Sequence, residues 1–213
     1  MVDPSLKSRL LKKLFEYGCI KLSDSSKPFH YASGLKGPIY CDNRPIMSYP
    51  ELRQIVSKGL EQLLQSKGIR PDLLAAMATA GIAPTAFLAD RLKLPMVYIR
   101  SKPKDHGTKQ LIEGFYQEGQ KVVLIDDLVN QASSISKGVI ALKEAKLKLD
   151  LCMSIVDYQM AGARKNLDQC NGPELCALIY FEDIISYLES DSSYDSVSLS
   201  DLRSWHKNPT QWP

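Results

Sequence analysis

The sequence predicts an α/β fold, a central parallel sheet flanked by helices. Two observations predict it. Short continuous apolar runs recur ("DLLAAMA", "LPMVYIR", "KVVLI", "LDLCMSIVDY", "ELCALIYF"), and helical segments separate most of them ("IAPTAFLADRLK", "SISKGVIALKEAKL", "RKNLDQC"). Strands that are apolar throughout are buried on both faces. That demands parallel β-α-β units with helices on each side.

The elements follow in order. "DPSLKSRLLKKLFEYGCI" places Leu6, Leu10, Leu11, Leu14 and Phe15 at helical spacing, with Gly18 as the stop. "KPFHYASGLKGPIYCDNRPIM" is rich in Gly, Pro and Ser and reads as turns and small strands. "SYPELRQIVSKGLEQLLQSKG" is the clearest helix. Ser48 and Glu51 make a capping box, Pro50 sits in the first turn, and Gly68 ends it. The sheet region follows. Residues 190–198 read as a polar linker, and the tail is expected to pack back through Trp205 and Trp212. Residues 1–190 are expected to form one domain with a small hood over about 20–45, leaving 191–213 as linker and tail.

The bulk numbers suit one globular domain: 213 residues, 44% hydrophobic and 24% charged. A net charge of +3 gives no global reason to expect a nucleic-acid partner. The cysteines at 19, 41, 152, 170 and 176 have no C-x-x-C spacing, which argues against a disulfide framework or zinc site and for a reducing compartment. No apolar run reaches the ~20 residues of a membrane span, and "MVDPSLKSRLLKKLFEYG" lacks a signal-peptide core. A soluble cytoplasmic protein with no membrane partner is the expectation.

Two segments carry candidate chemistry. In "KVVLIDDLVNQASSISKGVIALKEAKL" an apolar run enters Asp126 and Asp127, and a helix starts near Ser133 or Ser134. Ligands of open parallel sheets bind beyond the carboxyl ends of the strands. Paired carboxylates accept hydrogen bonds from vicinal hydroxyls and help hold a divalent cation. A helix start, with its free N–H groups, attracts phosphate, and the two serine hydroxyls add donors. Acids and helix start together suit a ribose phosphate. A plain strand end followed by a serine-capped helix fits the same residues, and spacing alone leaves both readings open. The loop is not a Walker A motif, since it lacks Gly-Lys-Ser/Thr.

The second segment, "YIRSKPKDHGTKQ", gathers Arg100, Lys102, Lys104, His106 and Lys109 around one acid, Asp105. Its Pro and Gly favour a mobile loop, and its cations suit a pyrophosphate. A solvated loop or a nucleic-acid patch are the alternatives, the latter weakened because no aromatic ladder accompanies the charges. Other residues take plainer readings. His30 and His206 lack metal-spaced partners, Lys137–Lys148 reads as a solvated helix face, and Glu113 and Gly114 shape the base of the basic loop. Asp157 stands at another strand end and leans toward the site.

The two segments, with "FHYASGLKGPIYCDNR", "MATAGIAPTAFLADRLKLPMVYIRSKPKDHG", "IEG" and "VVLIDDLV", resemble the orotate phosphoribosyltransferases in order and spacing, from about residue 5 to 190. "DLRSWHKNPTQW" resembles the tail of some bacterial members. The resemblance implies a type I phosphoribosyltransferase fold. It implies transfer of the phosphoribosyl group from 5-phosphoribosyl 1-pyrophosphate (PRPP) to orotate, giving orotidine 5′-monophosphate and pyrophosphate in UMP biosynthesis. It further implies Mg²⁺ held mainly by PRPP with no direct protein ligand, and a homodimer whose basic loop reaches the neighbour's site. By matched position, Arg100, Lys104 and His106 contact the pyrophosphate, and Asp126 and Asp127 hold the ribose hydroxyls. Leu128, Val129, Asn130, Gln131, Ala132, Ser133 and Ser134 wrap the 5-phosphate. Lys36, Asn130 and Tyr158 lie near the base, and Thr79 to Ile82 ("TAGI") form a second pyrophosphate loop. Lys104, His106, Asp126 and Asp127 are the catalytic expectations.

Two departures stand out. The family follows its acids with two apolar residues, Thr or Ser, a small residue, and Gly with Thr or Gly. Here Asn130, Gln131, Ala132 and Ser133 occupy those last four positions. Ala132 replaces a glycine suited to positive φ, so its Cβ is expected to cost ~1 kcal/mol or more. "DYQMAGARKNL" resembles the "DREQGGxxNL" pattern, but Tyr158 stands where some members carry an arginine for the orotate carboxylate. Three readings therefore compete: a working orotate enzyme, a ribose-phosphate-binding relative without turnover, and a phosphoribosyltransferase for another base.

Overall fold

The computed structural model describes residues 2–31, 34–102, 111–191 and 199–212. Helix α1 (Pro4–Glu16) is capped by Asp3, whose carboxylate accepts the Ser5 N–H at 2.8 Å, and it buries Leu6, Leu10, Leu11 and Leu14. The segment after it forms two antiparallel pairs: β1 (Ile20–Leu22) with β4 (Ile39–Cys41), and β2 (Phe29–His30) with β3 (Lys36–Gly37). Helix α2 (Pro50–Lys67) buries Leu52, Ile55, Val56, Leu60, Leu63 and Leu64 and ends at Gly68, which takes φ 65.

The capping box at Ser48 does not form. Residues Arg44–Ser48 wind into a 3-10 turn, so the N-cap is Tyr49 and no side chain caps α2. Glu51 is engaged elsewhere: it accepts the Tyr17 hydroxyl and pairs with Lys13 at 3.1 Å. A contact with α1 overrides the local motif.

The central sheet has six strands in the order β10-β9-β8-β5-β6-β7. They are β5 (Leu73–Met77), β6 (Met96–Ile99), β7 (Ile112–Glu113), β8 (Lys121–Val129), β9 (Lys148–Asp157) and β10 (Leu175–Tyr180). All neighbours are parallel except β7, which runs antiparallel to β6 at one edge. Helices α3 (Ile82–Leu92), α4 (Ser133–Glu144), α5 (Ala161–Gln169), α6 (Phe181–Ser190) and α7 (Leu199–Lys207) complete the chain.

Side chains alternate along β8. Val123 and Ile125 join the core shared by α1, α2, α3, α6 and α7, while Val122 and Leu124 join a second core under α4 and α5. This two-sided burial is why the strands read as continuous apolar runs. The tail packs back as expected, with Trp205 and Trp212 both buried.

The strand expected to end at Ile125 runs to Val129. On one side β9 continues to pair, with Leu128 opposite Val156 and Val129 opposite Asp157. On the other side β5 pairs no further than Ile125. The chain leaves β5 for β6 on one side and returns to β8 on the other, so β5 and β8 form a topological switch point. Such a crevice is the binding position of open α/β sheets. Asp126 and Asp127 stand where it opens.

Candidate active site

The acid pair is held by its strand and by the first half of the chain. The Asp126 carboxylate accepts the Asp127 N–H at 2.9 Å, and the Ser134 hydroxyl at the start of α4 favours its charged form. The buried Asn43 amide donates to the Asp127 carbonyl at 2.9 Å, and the Arg44 charge acts on the Asp127 carboxyl. Burial pushes the Asp126 carboxyl well above the usual carboxylate range, and the adjacent Asp127 charge pushes it further. Burial also raises Asp127, opposed by the hydrogen bond with Asp126 and by Arg44. Two desolvated, mutually repelling carboxylates favour any ligand that brings hydroxyl donors or positive charge.

Facing them is the loop after β5, which carries the non-proline cis peptide Ala78–Thr79. A Cβ on Gly81 would lie 2.8 Å from the carbonyl oxygens of both Ile125 and Met77, and 3.2 Å from the Asp126 Cα. Only glycine lets this loop approach the acids so closely.

Beyond the acids, Asp126 and Leu128–Ile135 line a hollow of about 140 Å³ at the N-terminus of α4. Ala132 is the N-cap residue of α4, at φ 55 and ψ 14, and no side chain caps the helix. The glycine-like conformation is thus kept by alanine, as the strain expectation requires, and the methyl belongs to the buried cluster under α4. Ser133 and Ser134 are exposed at the helix start. Ser133 is the first helical residue and not its cap. Gln131, bulky where the family is small, leans away onto α5: its Oε1 occupies the space a Gly162 Cβ would need. Asn166 donates to the Gln131 carbonyl at 2.7 Å. The hollow therefore retains an open, uncapped helix start, the arrangement that binds phosphate.

The side of the crevice toward Tyr158 is less open. Tyr158 is buried, and its hydroxyl has no hydrogen-bond partner among the described residues. Burial pushes that phenol's pKa well up, so it stays neutral. The Asn130 Oδ1 is likewise buried and unpartnered. Unsatisfied buried polar groups cost about 1–3 kcal/mol each and mark positions that await a partner. Lys36 is exposed on β3. Asp157 is buried and accepts the Gln159 N–H at 2.8 Å, so it shapes the turn behind Tyr158. His30 is exposed, and His206 bonds to the Tyr158 carbonyl at 2.6 Å, the hydrogen-bonded role expected for it.

Arg100 closes the β6–β7 edge. Its backbone N–H donates to Leu111 O at 2.9 Å, and its guanidinium lies 3.6 Å from Glu113. This stem carries the basic segment. Lys104 and His106 themselves lie outside the described residues. No cluster of three or more His, Cys, Asp or Glu with metal-binding geometry exists among the described residues. Among the described residues, no helix is long and apolar enough to cross a membrane. Sequence reasoning missed Asn43 and Asn166, and it gave Trp205 only a packing role. Asn43 was visible within "YCDNR", but nothing local linked it to Asp127, 84 residues away.

Comparisons with known proteins agree with this geometry. The family model of the phosphoribosyl transferase domain matches residues 46–169. The chain is 36% identical to the orotate phosphoribosyltransferase of Listeria monocytogenes over 208 residues, 98% of this chain and 99% of that one. It is 36% identical to that of Coxiella burnetii over 186 residues, covering 87% and 88% of the two chains. Among solved structures, orotate phosphoribosyltransferase from Aeropyrum pernix superposes with a TM-score of 0.72 at 25% identity, over 86% of this chain and 99% of that one. An adenine phosphoribosyltransferase from Thermoanaerobacter pseudethanolicus reaches 0.63 at 22% identity, over 80% and 99%, so the fold alone does not choose the base. The full-length identity does discriminate, and by it the chain belongs to the orotate phosphoribosyltransferases of the type I phosphoribosyltransferase family.

Proposed function

We propose that this protein is a glycosyltransferase that moves the 5-phosphoribosyl group of PRPP to orotate, forming orotidine 5′-monophosphate for UMP synthesis. The observation that carries the reading is the switch-point crevice. It sets the buried acid pair between the Gly81 loop and the uncapped start of α4. Asp126 and Asp127 accept the ribose 2′- and 3′-hydroxyls, and the N–H groups opening α4 take the 5-phosphate with Ser133 and Ser134. The loop of Thr79–Ile82 receives the pyrophosphate.

In the reaction the bond from C1′ to the pyrophosphate oxygen breaks, and its electron pair leaves with pyrophosphate. The orotate ring nitrogen gives up its proton, for which the departing pyrophosphate is the acceptor, and bonds to C1′, so no protein nucleophile is required. Rate comes from positioning and from charge stabilisation around the oxocarbenium-like centre. Lys104, His106 and Arg100 neutralise the leaving group, and the basic segment excludes competing water. The raised, desolvated acid pair fits a nearby divalent cation. Bound Mg²⁺ would neutralise the diphosphate.

Lys36 and Asn130 face the base, with Tyr158 behind them. Lys36 then supplies the positive charge for the orotate carboxylate that Tyr158 lacks. We further propose a cytoplasmic homodimer in which the basic segment serves the neighbouring site.

The test is loss of orotate absorbance with purified protein, PRPP and Mg²⁺, run beside other pyrimidine and purine bases. PRPP-dependent loss with orotate alone is expected. No turnover with any base, while PRPP binds by calorimetry, would replace the enzyme by a binding relative. Turnover with another base would move the specificity.

A further inference from the structure

We propose that Trp205, on α7, is a positioning residue for base binding. It ties the hood strand β3 to the end of β9 that carries Tyr158. The inference rests on the reading above that Lys36, Asn130 and Tyr158 bound the base.

Strand β3 is only Lys36–Gly37, paired with the two residues of β2. A lone two-stranded ribbon is marginal in water, so its position depends on outside support. Trp205 supplies it. This residue is 1% exposed, and its indole N–H donates to the Lys36 carbonyl at 3.1 Å, across 169 residues of sequence. The fit is close. A Cβ on Gly37 would lie 2.5 Å from the Trp205 Nε1 and closer still to the Tyr31 hydroxyl. The Tyr31 hydroxyl in turn donates to the Ile39 carbonyl at 2.5 Å. The indole therefore meets the hood backbone directly, and its bond fixes where the Lys36 side chain starts.

The same helix grips the other wall. The Trp205 ring meets Tyr158 edge-on, with centroids 5.6 Å apart at 87°. The next residue, His206, lies 2.6 Å from the Tyr158 carbonyl through Nε2. A carbonyl only accepts, so that nitrogen carries the proton. The His206 ring stacks on Phe181 at 4.1 Å. Between hood, phosphate loop and α7 lies a cavity of about 190 Å³, whose walls include Tyr31, Leu35, Asn130, Gln131 and Trp205. The grip reaches Tyr158, whose hydroxyl is unpartnered among the described residues, and Asn130, whose Oδ1 is also unpartnered there, lines the same cavity. Any buried indole N–H needs a partner; this one takes the backbone carbonyl of Lys36, and the neighbouring His206 takes that of Tyr158, so one turn of α7 holds both walls.

The test compares the full-length protein with Trp205→Phe, which keeps a ring and loses the donor, and with Trp205→Ala. For Trp205→Phe the orotate KM is expected to rise roughly two- to tenfold, the scale of one lost hydrogen bond. The PRPP KM and kcat are expected to stay within about twofold. Trp205→Ala is expected to raise the orotate KM further. A purely structural tryptophan would lower the melting temperature and the active fraction but leave the orotate KM of the surviving enzyme unchanged. That result, or an equal rise in both KM values, overturns the proposal. If the alanine variant fails to fold, the phenylalanine variant decides. Amide hydrogen exchange at residues 34–41 gives a readout independent of turnover. Faster exchange there in Trp205→Phe supports the tie, and unchanged exchange overturns it. If the parent protein does not consume orotate, the enzymatic reading fails separately, and the exchange experiment still judges the tie.

Discussion

Replacing Ala132 by glycine and by valine tests how the hollow at the start of α4 keeps its shape. Ala132 holds φ 55 and ψ 14, where an L-residue pays for contact between its Cβ and the backbone. That contact costs about 1–2 kcal/mol. Glycine removes it, but frees the unfolded chain by about 0.4–1 kcal/mol. Ala132 is 4% exposed, and loss of its buried methyl forfeits up to about 0.8 kcal/mol of burial. These effects oppose one another. The glycine variant is therefore expected within about 1 kcal/mol of the parent, a melting shift below about 4 °C for a chain of this size. Valine behaves differently. A branched residue at positive φ is a genuine outlier, and two added methyls overpack the cluster under α4 at about 1–3 kcal/mol. Its melting point should fall by at least about 4 °C. Thermal unfolding by circular dichroism, repeated in urea, measures both. Since the methyl belongs to the buried cluster, PRPP affinity of the glycine variant should stay within about twofold of the parent. A valine variant as stable as the parent would refute the left-handed conformation at this position. A glycine variant stabilised by much more than ~2 kcal/mol would refute the balance of effects.

Asp126→Asn should lower turnover on the order of 100-fold yet raise stability at neutral pH. Burial raises the folded-state pKa of Asp126 above its ordinary 3.8. The folded protein thus holds that proton more tightly, and the parent loses stability as pH climbs from about 4 towards the raised value. The amide has no proton to lose, so its melting advantage should widen between about pH 4 and 7; a constant gap would contradict the shift. The combined change Asn130→Thr, Gln131→Ala, Ala132→Gly and Ser133→Thr should tighten PRPP binding measured by calorimetry, and unchanged affinity would show that the parent loop is already fully competent. Gly81→Ala drives a Cβ against two carbonyl oxygens at 2.8 Å. A loss of about 1–3 kcal/mol in urea unfolding is expected, together with weaker PRPP binding, and a silent substitution would contradict the close approach.

How much of this was legible in the sequence depends on how far apart the interacting residues lie. The apolar runs of β5, β8 and β9 were legible because burial on both faces is written locally. The failed capping box at Ser48 shows the converse. Its residues were correct, but Tyr17 and Lys13 from α1 took Glu51. The extension of β8 past the acids was invisible because β9, not β8, sets it. Lys36, Tyr158 and Trp205 share no local period, and only packing brings them together. The phosphate hollow joins both cases. The unusual residues at 130–133 suggested a damaged cradle, since side chains are what a sequence displays. The binding groups of such a cradle are backbone N–H groups at the start of α4, and their direction depends on the left-handed turn at Ala132. Gln131 has room to lean onto α5 because residue 162 is glycine. The side chains depart from the family pattern, yet Ala132 holds the left-handed turn that aims the α4 donors, at a strain cost confined to that residue.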